Sequence, residues 1–365
     1  MSLDWHHVLA GAAVAGTDPS ARSYSPPCWK ASRPRYAETR KLLGAAAEES
    51  KRLRYLMSWL DDSPDRALVY GRLCQALAEF EQRHPAAAAR LRSAGLAVGK
   101  RIRLLYHAAA TGQETAARTA PDDQDSDTFV HVVIPFRARE AGSLRERNLH
   151  ACINALARQT LPRERFTVTL VESDAVPRHR AAYASRVDNY VFHRDAGDFN
   201  KAAAVNLGTT QEVDRNPLLC LLDADIVLDR GFLARAVASA GASWAALPYE
   251  DAFCLDSASS AAVADHHRAA RPERAPQRLA GYLIRRPPGG CVLVTHDRFT
   301  SVGGFDERFV GWGGEDRDLI NRLERAGGVE RQPGKLLHLM HERPPMREDH
   351  ETIMRTGLIR TAVPA

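Results

Sequence analysis

Lysine is scarce in this 365-residue chain, occurring only at positions 30, 41, 51, 100, 201 and 335, so the formal net charge of +5 rests almost wholly on arginine. The arginines are not gathered with aromatics into a basic stripe, which leaves no reason to expect a nucleic-acid partner. Their abundance, like that of alanine, fits GC-rich coding. Cysteine is also thin: residues 28, 74, 152, 220, 254 and 291 show no CxxC spacing. That excludes a zinc ribbon or a dense disulfide framework and leaves reduced thiols, with Cys220 and Cys291 inside apolar strand-like runs. Nowhere do about eighteen apolar residues run together, the length a membrane-crossing helix needs. The opening MSLDWHHVLAGAAVAG has no basic flank before its short apolar run, so a cytoplasmic protein without a transmembrane segment is expected.

What is present is a balanced composition, 44% hydrophobic and 26% charged. It suits one large α/β domain and a smaller one, and is too apolar for disorder. Over residues 34–112, apolar positions recur at helical spacing: Leu42, Leu43, Leu53, Leu56, Met57 and Leu60, then Leu73, Leu77 and Phe80, then Leu91, Val98, Ile102 and Leu105. Three or four amphipathic helices are expected, making 1–112 a helical N-terminal domain with no catalytic spacing of its own. Residues 113–128 lose their apolar side chains and gather acids, Thr and Gln, the composition of a linker.

From 129 to 350 short β-branched runs alternate with helical patterns. Strands are expected at 129–135, 166–172, 189–193, 218–222, 244–248 and 291–295, and helices at 144–159, 200–211, 232–240 and 316–326. A polar loop is expected at 257–274, and 351–365 reads as a tail. Such alternation implies βαβ units, a mostly parallel sheet and an α/β fold.

Two stretches carry chemistry. LLCLLDADIVL at 218–228 stops an apolar strand at Asp223-Ala224-Asp225, placing two carboxylates at the carboxyl end of a buried strand, where open α/β sheets bind ligands. Converging hard oxygens suit a divalent cation; Asp after a strand is equally an ordinary turn residue. GGFDERFVGWGGEDRDL at 303–319 surrounds Trp312 with glycines, including Gly313 and Gly314, and then delivers Glu315 and Asp316 at a helix start. Capping and dipole compensation alone would select acids there, but not the glycines and Trp before them. Near the end, His338 and His341 in LLHLMH offer imidazoles to a metal already held by Asp, and the Leu336-Leu337 run favours His338 as the inward one.

These segments, with PFRARE (135–140), VESD (171–174), FNKAAAVNLG (199–208) and PPGGCVLV (287–294) in this order, resemble inverting glycosyltransferases of the GT-A fold. The likeness is to family 2 in general and, in the GWGGED motif, to the animal β-1,4-galactosyltransferases and the donor regions of bacterial chondroitin-type polymerases. The resemblance implies a Rossmann-like, mostly parallel catalytic domain preceded by the small all-α domain, and a nucleotide-sugar donor, a UDP-sugar. In it Pro135, Phe136, Arg137 and Arg139 border the nucleotide, Glu172 faces the uracil and ribose, and Asn200 and Lys201 lie beneath the nucleotide. Asp223 and Asp225 match the metal motif, with His338 or His341 completing a site for Mn²⁺ or Mg²⁺. Gly290 lets the donor sugar approach the backbone. Trp312, Gly313, Gly314 and Glu315 contact sugar or acceptor, and Asp316 matches the general base.

The chain departs from the pattern in two places. Pro287-Pro288 stands where the animal enzymes carry the aromatic that helps choose galactose, and Arg317 replaces the motif's third acid. The helical domain has no counterpart in the resemblance; contact with acceptor, partner or a second copy is open to it. Two rival readings stand beside the transferase: a nucleotidyltransferase, which needs a Gly-rich basic phosphate loop that Arg137-Ala138-Arg139-Glu140 does not supply, and a non-catalytic sugar-binding protein of the same fold, against which the intact acids argue.

Overall fold

The computed structural model describes residues 4–110, 127–269, 278–311 and 313–342. In chain order the first elements are α1 (Trp5–Thr17), α2 (Pro19–Tyr24), α3 (Pro26–Glu49), α4 (Lys51–Trp59), α5 (Arg66–Arg83), α6 (Pro85–Arg101) and β1 (Leu104–Ala110). There follow β2 (Val130–Phe136), α7 (Leu144–Leu156), β3 (Phe166–Asp174), α8 (Arg180–Tyr183), β4 (Asn189–Arg194), α9 (Lys201–Thr209), β5 (Leu218–Leu222), β6 (Ile226–Val227), α10 (Phe232–Ala238) and β7 (Ala245–Leu247). The last are β8 (Asp251–Leu255), α11 (Ser257–Arg268), β9 (Arg278–Arg285), β10 (Cys291–Thr295), α12 (His296–Ser301), α13 (Glu315–Gly327), β11 (Val329–Arg331) and β12 (Lys335–His338).

The chain forms two compact units: one from the described residues of Met1–Glu114, Asp251–Ser260 and Pro276–Pro287, the other from those of Thr115–Glu250, Ala261–Ala275 and Pro288–Ala365. In the first unit α1 is buried on nearly every side. Its alanines and glycines make this possible, because small side chains let backbones approach closely: a Cβ on Gly11 would lie 2.3 Å from the Tyr106 carbonyl oxygen of β1. This unit is less purely helical than 1–112 was expected to be. Leu105, assigned to a helical repeat on spacing alone, lies on β1, which pairs antiparallel with β9, and β9 with β8. Strand pairing at long separation leaves no local periodicity to read. Nor is 257–274 a loop throughout: α11 occupies Ser257–Arg268, started by the Asp256 carboxylate accepting from the Ser259 amide at 2.8 Å. The expected linker lies outside the described residues except for 127–128, and the tail lies outside them entirely.

The second unit is built on a seven-stranded sheet of order β11-β7-β10-β5-β2-β3-β4. Pairings β5–β2, β2–β3, β3–β4 and β11–β7 are parallel, and β10 lies antiparallel between β5 and β7. Every residue of β2 and β5 is buried, which is why both read as continuous apolar runs and not as alternation. Helix α9 packs on this sheet at Gly208, where a Cβ would come within 2.4 Å of Val133. The α/β architecture, a parallel-rich sheet with a helical region ahead of it, is the one expected. Among the described residues no helix is long and apolar enough to cross a membrane.

Candidate functional site

Strand β5 ends in a tight turn. The Asp223 amide donates to Gly290 O at 3.0 Å and the Ile226 amide to Asp223 O at 3.2 Å, so Asp223, Ala224 and Asp225 are presented at the strand's carboxyl end with their backbone fixed. The two carboxylates then part company.

Asp225 turns toward β12. That strand pairs antiparallel with β6, His338 opposite Ile226, and the Leu339 amide donates to Asp225 O at 2.8 Å. Helix α7 holds the following segment: Asn148 Nδ2 donates to Met340 O at 3.0 Å and Arg145 to Glu342 O at 3.1 Å. The chain therefore turns at the fully buried Leu339 and brings His341 back beside His338. His338 Nε2 lies 3.5 Å and His341 Nε2 3.1 Å from the Asp225 carboxylate. The expectation that His338 faces inward in preference to His341 is corrected here: both reach Asp225, and His341 is the nearer and the less exposed. Hydropathy of the strand shows which residues precede the turn, not where the chain goes after it.

These three residues form the group among the described residues whose donor atoms suit a metal, all within 4.8 Å of one another. Asp225 Oδ1 and His338 Nδ1 are buried without a hydrogen-bond partner. Burial pushes the Asp225 carboxyl up, but the positive charge facing it, from His338 and His341 when protonated and from Arg145 and Lys201, outweighs burial and the net shift is downward. Burial pushes the His341 imidazole down to about 4, against the opposing pull of Asp225. An ionised carboxylate beside a neutral imidazole is the protonation state that ligates a cation, and a mixed O and N donor set suits a divalent transition-metal ion. The residues fit a divalent cation of the kind the motif implies.

Asp223 turns the other way, toward Lys201 on the first turn of α9. Lys201 Nζ lies 2.8 Å from Asp223 Oδ1, 2.9 Å from Asp316 Oδ1 and 3.8 Å from Glu315 Oε1. Burial works against the charged ammonium, yet the three carboxylates hold its pKa well above the ordinary lysine value. Asp223 is raised, by burial more than Lys201 lowers it. Glu315 is raised to about 7, chiefly by burial and then by Asp316, and its Oε2 has no hydrogen-bond partner. Gly313 and Gly314 both have positive φ, 99° and 102°, a conformation that favours glycine, and this sharp entry sets Glu315 and Asp316 on the first turn of α13. Trp312 lies outside the described residues.

The residues expected around the nucleotide have more work inside the protein than their motif suggested. Glu172 is fully buried: it accepts from the amides of Arg178 at 2.8 Å and His179 at 3.2 Å, and from the Tyr190 hydroxyl. Arg137 is buried and spends its guanidinium on the carbonyls of Ser173, Gly197 (2.7 Å) and Asp195 (2.8 Å). Both shape the loops after β3 and β4. Phe136 packs edge-on against His179, and Pro135 beside it is buried on β2. Arg139 is exposed and reaches Gly197 O at 3.2 Å. Asn200 caps α9, accepting from the Ala203 amide at 2.9 Å, and donates to Glu307 O. Gly290 has φ of 105°, and a Cβ there would press on Leu336. Sequence reasoning missed Arg145 and Asn148, which hold the histidine segment, and Tyr249, which bonds Gly289 beside Asp316; nothing in their local pattern marks them, because each acts through a long-range contact. Gly289 lies within the PPGGCVLV segment, but the resemblance gives it no role there.

Residues 282–345 match the family described as the N-terminal domain of galactosyltransferase. Human beta-1,4-galactosyltransferase 3 is 26% identical over 159 residues, 41% of this chain and 32% of that protein. Pig beta-1,4-galactosyltransferase 5 is 47% identical over a shorter stretch of 47 residues, 13% of this chain and 12% of that one. The chain thus spans about a third or less of the length of these relatives. Among solved structures, the catalytic domain of Drosophila beta1,4galactosyltransferase 7 in complex with xylobiose aligns over 65% of this chain and 82% of that one, with a TM-score of 0.38 and 16% identity. A mannosyltransferase from Pyrobaculum calidifontis in complex with GDP-Man and Mn²⁺ aligns over 65% and 64%, with a TM-score of 0.37 and 18% identity.

Proposed function

We propose that this protein is a metal-dependent, inverting glycosyltransferase that moves a sugar from a nucleotide-diphosphate donor, a UDP-sugar, to a hydroxyl of an acceptor, with Asp316 as general base. The observation that carries the reading is the division of one strand end into two sites: Asp225 with two imidazoles on one side, and Asp223 with Lys201, Glu315 and Asp316 on the other. The sequence match over 282–345, which contains both Asp316 and the histidines, supports it.

In this reading Asp225, His338 and His341 hold Mn²⁺ or Mg²⁺, with Asp223 beside them. When bound, the cation would supply positive charge to offset the negative charge that develops on the diphosphate leaving group. Asp316 accepts the acceptor hydroxyl's proton at a carboxylate oxygen, a contribution worth roughly 10²–10⁴ in rate. Attack opposite the leaving group by one activated hydroxyl inverts the anomeric centre. Glu315, buried with a free oxygen, holds a sugar hydroxyl, and Trp312 stacks on a sugar face. Pro287-Pro288 removes the aromatic that would favour galactose, so the donor sugar is left to experiment.

The test is UDP release from a panel of UDP-galactose, UDP-glucose, UDP-N-acetylgalactosamine and UDP-N-acetylglucosamine, without added acceptor, in Mn²⁺ and in chelator. Slow hydrolysis of one donor, in Mn²⁺ only, is expected. Donor binding with no release across the panel would favour the sugar-binding protein, and release of pyrophosphate from a nucleoside triphosphate the nucleotidyltransferase.

A further inference from the structure

We propose that Lys201 and Gly289 are positioning residues for Asp316, fixing the direction in which its carboxylate meets the acceptor. This rests on the reading of Asp316 as the base and adds how the base is aimed. Two observations that do not depend on each other lead to it.

The first concerns Gly289. An ideal Cβ there would lie 1.9 Å from Asp316 Oδ2 and 2.5 Å from its Cγ, so the carboxylate occupies the volume a side chain would need. Gly289 is not among the residues of positive φ, unlike Gly290. Its missing side chain is therefore not explained by backbone conformation. Its peptide is fixed besides, because the buried Tyr249 hydroxyl donates to the Gly289 carbonyl oxygen. The glycine is a rigid floor under one carboxylate oxygen.

The second concerns Lys201, the first residue of α9. Cations are disfavoured at a helix N-terminus, where the dipole is positive, and the Asn200 cap already anchors that end. The ammonium stays because it donates to Asp316 Oδ1 at 2.9 Å and Oδ2 at 3.1 Å while sitting 2.8 Å from Asp223. It bridges the carboxylate at the strand end to the carboxylate of the base. Between floor and bridge, the Asp316 side chain has one place to lie, and a base displaced by about 1 Å loses much of its effect.

The experiment is a double-mutant cycle with the UDP-sugar that the unaltered protein hydrolyses fastest in Mn²⁺, reading kcat, KM and, by calorimetry, UDP affinity. Gly289→Ala is made alone and in an Asp316→Asn background; Lys201→Met is treated the same way. Asn has the shape of Asp, so general damage from the added methyl is equal in both backgrounds. The expected result for each is a kcat lowered about 10- to 100-fold with KM and UDP affinity within about threefold, and little further loss when Asp316 is already Asn, because groups that act as one unit are not additive. Equal loss of kcat in both backgrounds would overturn the proposal, as would a raised KM with kcat intact, which would make these residues donor contacts. Failure of the underlying reading is a separate result: near-normal turnover in Asp316→Asn alone removes the base, whatever Gly289 and Lys201 do.

Discussion

Asp223 and Asp225 stand one residue apart at the end of one strand and meet opposite surroundings. Asp225 faces two imidazoles and is held ionised, with one oxygen buried and without a hydrogen bond. Asp223 faces an ammonium already shared with Asp316, and burial raises it. The difference teaches that such a pair of acids need not act as one chelate. Here the first acid ties the strand end to the acid-bearing helix α13 through Lys201, and the second stands with two histidines whose donor atoms suit a metal. The two sides should therefore fail in different ways when altered.

The largest effect is expected on the ammonium side. Asp316→Asn should lower UDP-sugar turnover about 10²–10⁴-fold while the protein stays folded, because Asn preserves shape and its side-chain oxygen can still accept from Lys201. A variant that turns over normally and only melts lower would reduce Asp316 to a structural partner of Lys201 and dissolve the contrast.

On the imidazole side, His341→Ala and His338→Ala should each weaken Mn²⁺-assisted UDP binding about tenfold or more, His341 at least as strongly, while UDP binding in chelator stays as it was. Loss confined to His338 would show that the turn at Leu339 does not bring His341 into the site.

The smallest effect is expected in the scaffold, away from both acids. His131 is wholly buried in β2, with Nε2 2.7 Å from Thr169 Oγ1, and burial pushes it down to about 4. A base depressed in the folded state takes up its proton more readily when unfolded. Its stability contribution is present above about pH 6.5 and is lost as pH falls from there toward 4, by up to about 3 kcal/mol. Replacing His131 with Asn should flatten the melting temperature over that window and leave Mn²⁺-dependent UDP binding at pH 7 unchanged. An unaltered pH slope would place the acid sensitivity elsewhere.

The second unit was largely legible in the chain. Its central strands are buried on both faces, so β5 and β10 were readable to the residue from their apolar runs, and α13 from acids at its start and Gly327-Gly328 at its end, where the Gly328 amide closes on Glu324 O. The acids and histidines of the site were legible because chemistry restricts residue type. What each one touches was not. Arg137 and Glu172 carry the motif of a nucleotide contact, yet Arg137 is spent on the distant Gly197 carbonyl and Glu172 on the amides of the loop that follows its own strand. Strands β8 and β9 escaped for a related reason: β9 pairs with β1, well over a hundred residues earlier, and β8 pairs in turn with β9. Helix α1 escaped because a buried helix of small residues has no polar face to give it period.

The central claim, that the two acids of one strand end serve separate tasks, is tested most directly by calorimetric titration of UDP into the unaltered protein, Asp225→Ala and Asp316→Asn, each in Mn²⁺ and in chelator. The cation should strengthen UDP binding in the unaltered protein and in Asp316→Asn, and Asp225→Ala, still folded, should bind UDP equally in both solutions. Equal UDP affinity with and without Mn²⁺ in the unaltered protein, or a cation effect that survives in Asp225→Ala and vanishes in Asp316→Asn, would contradict it.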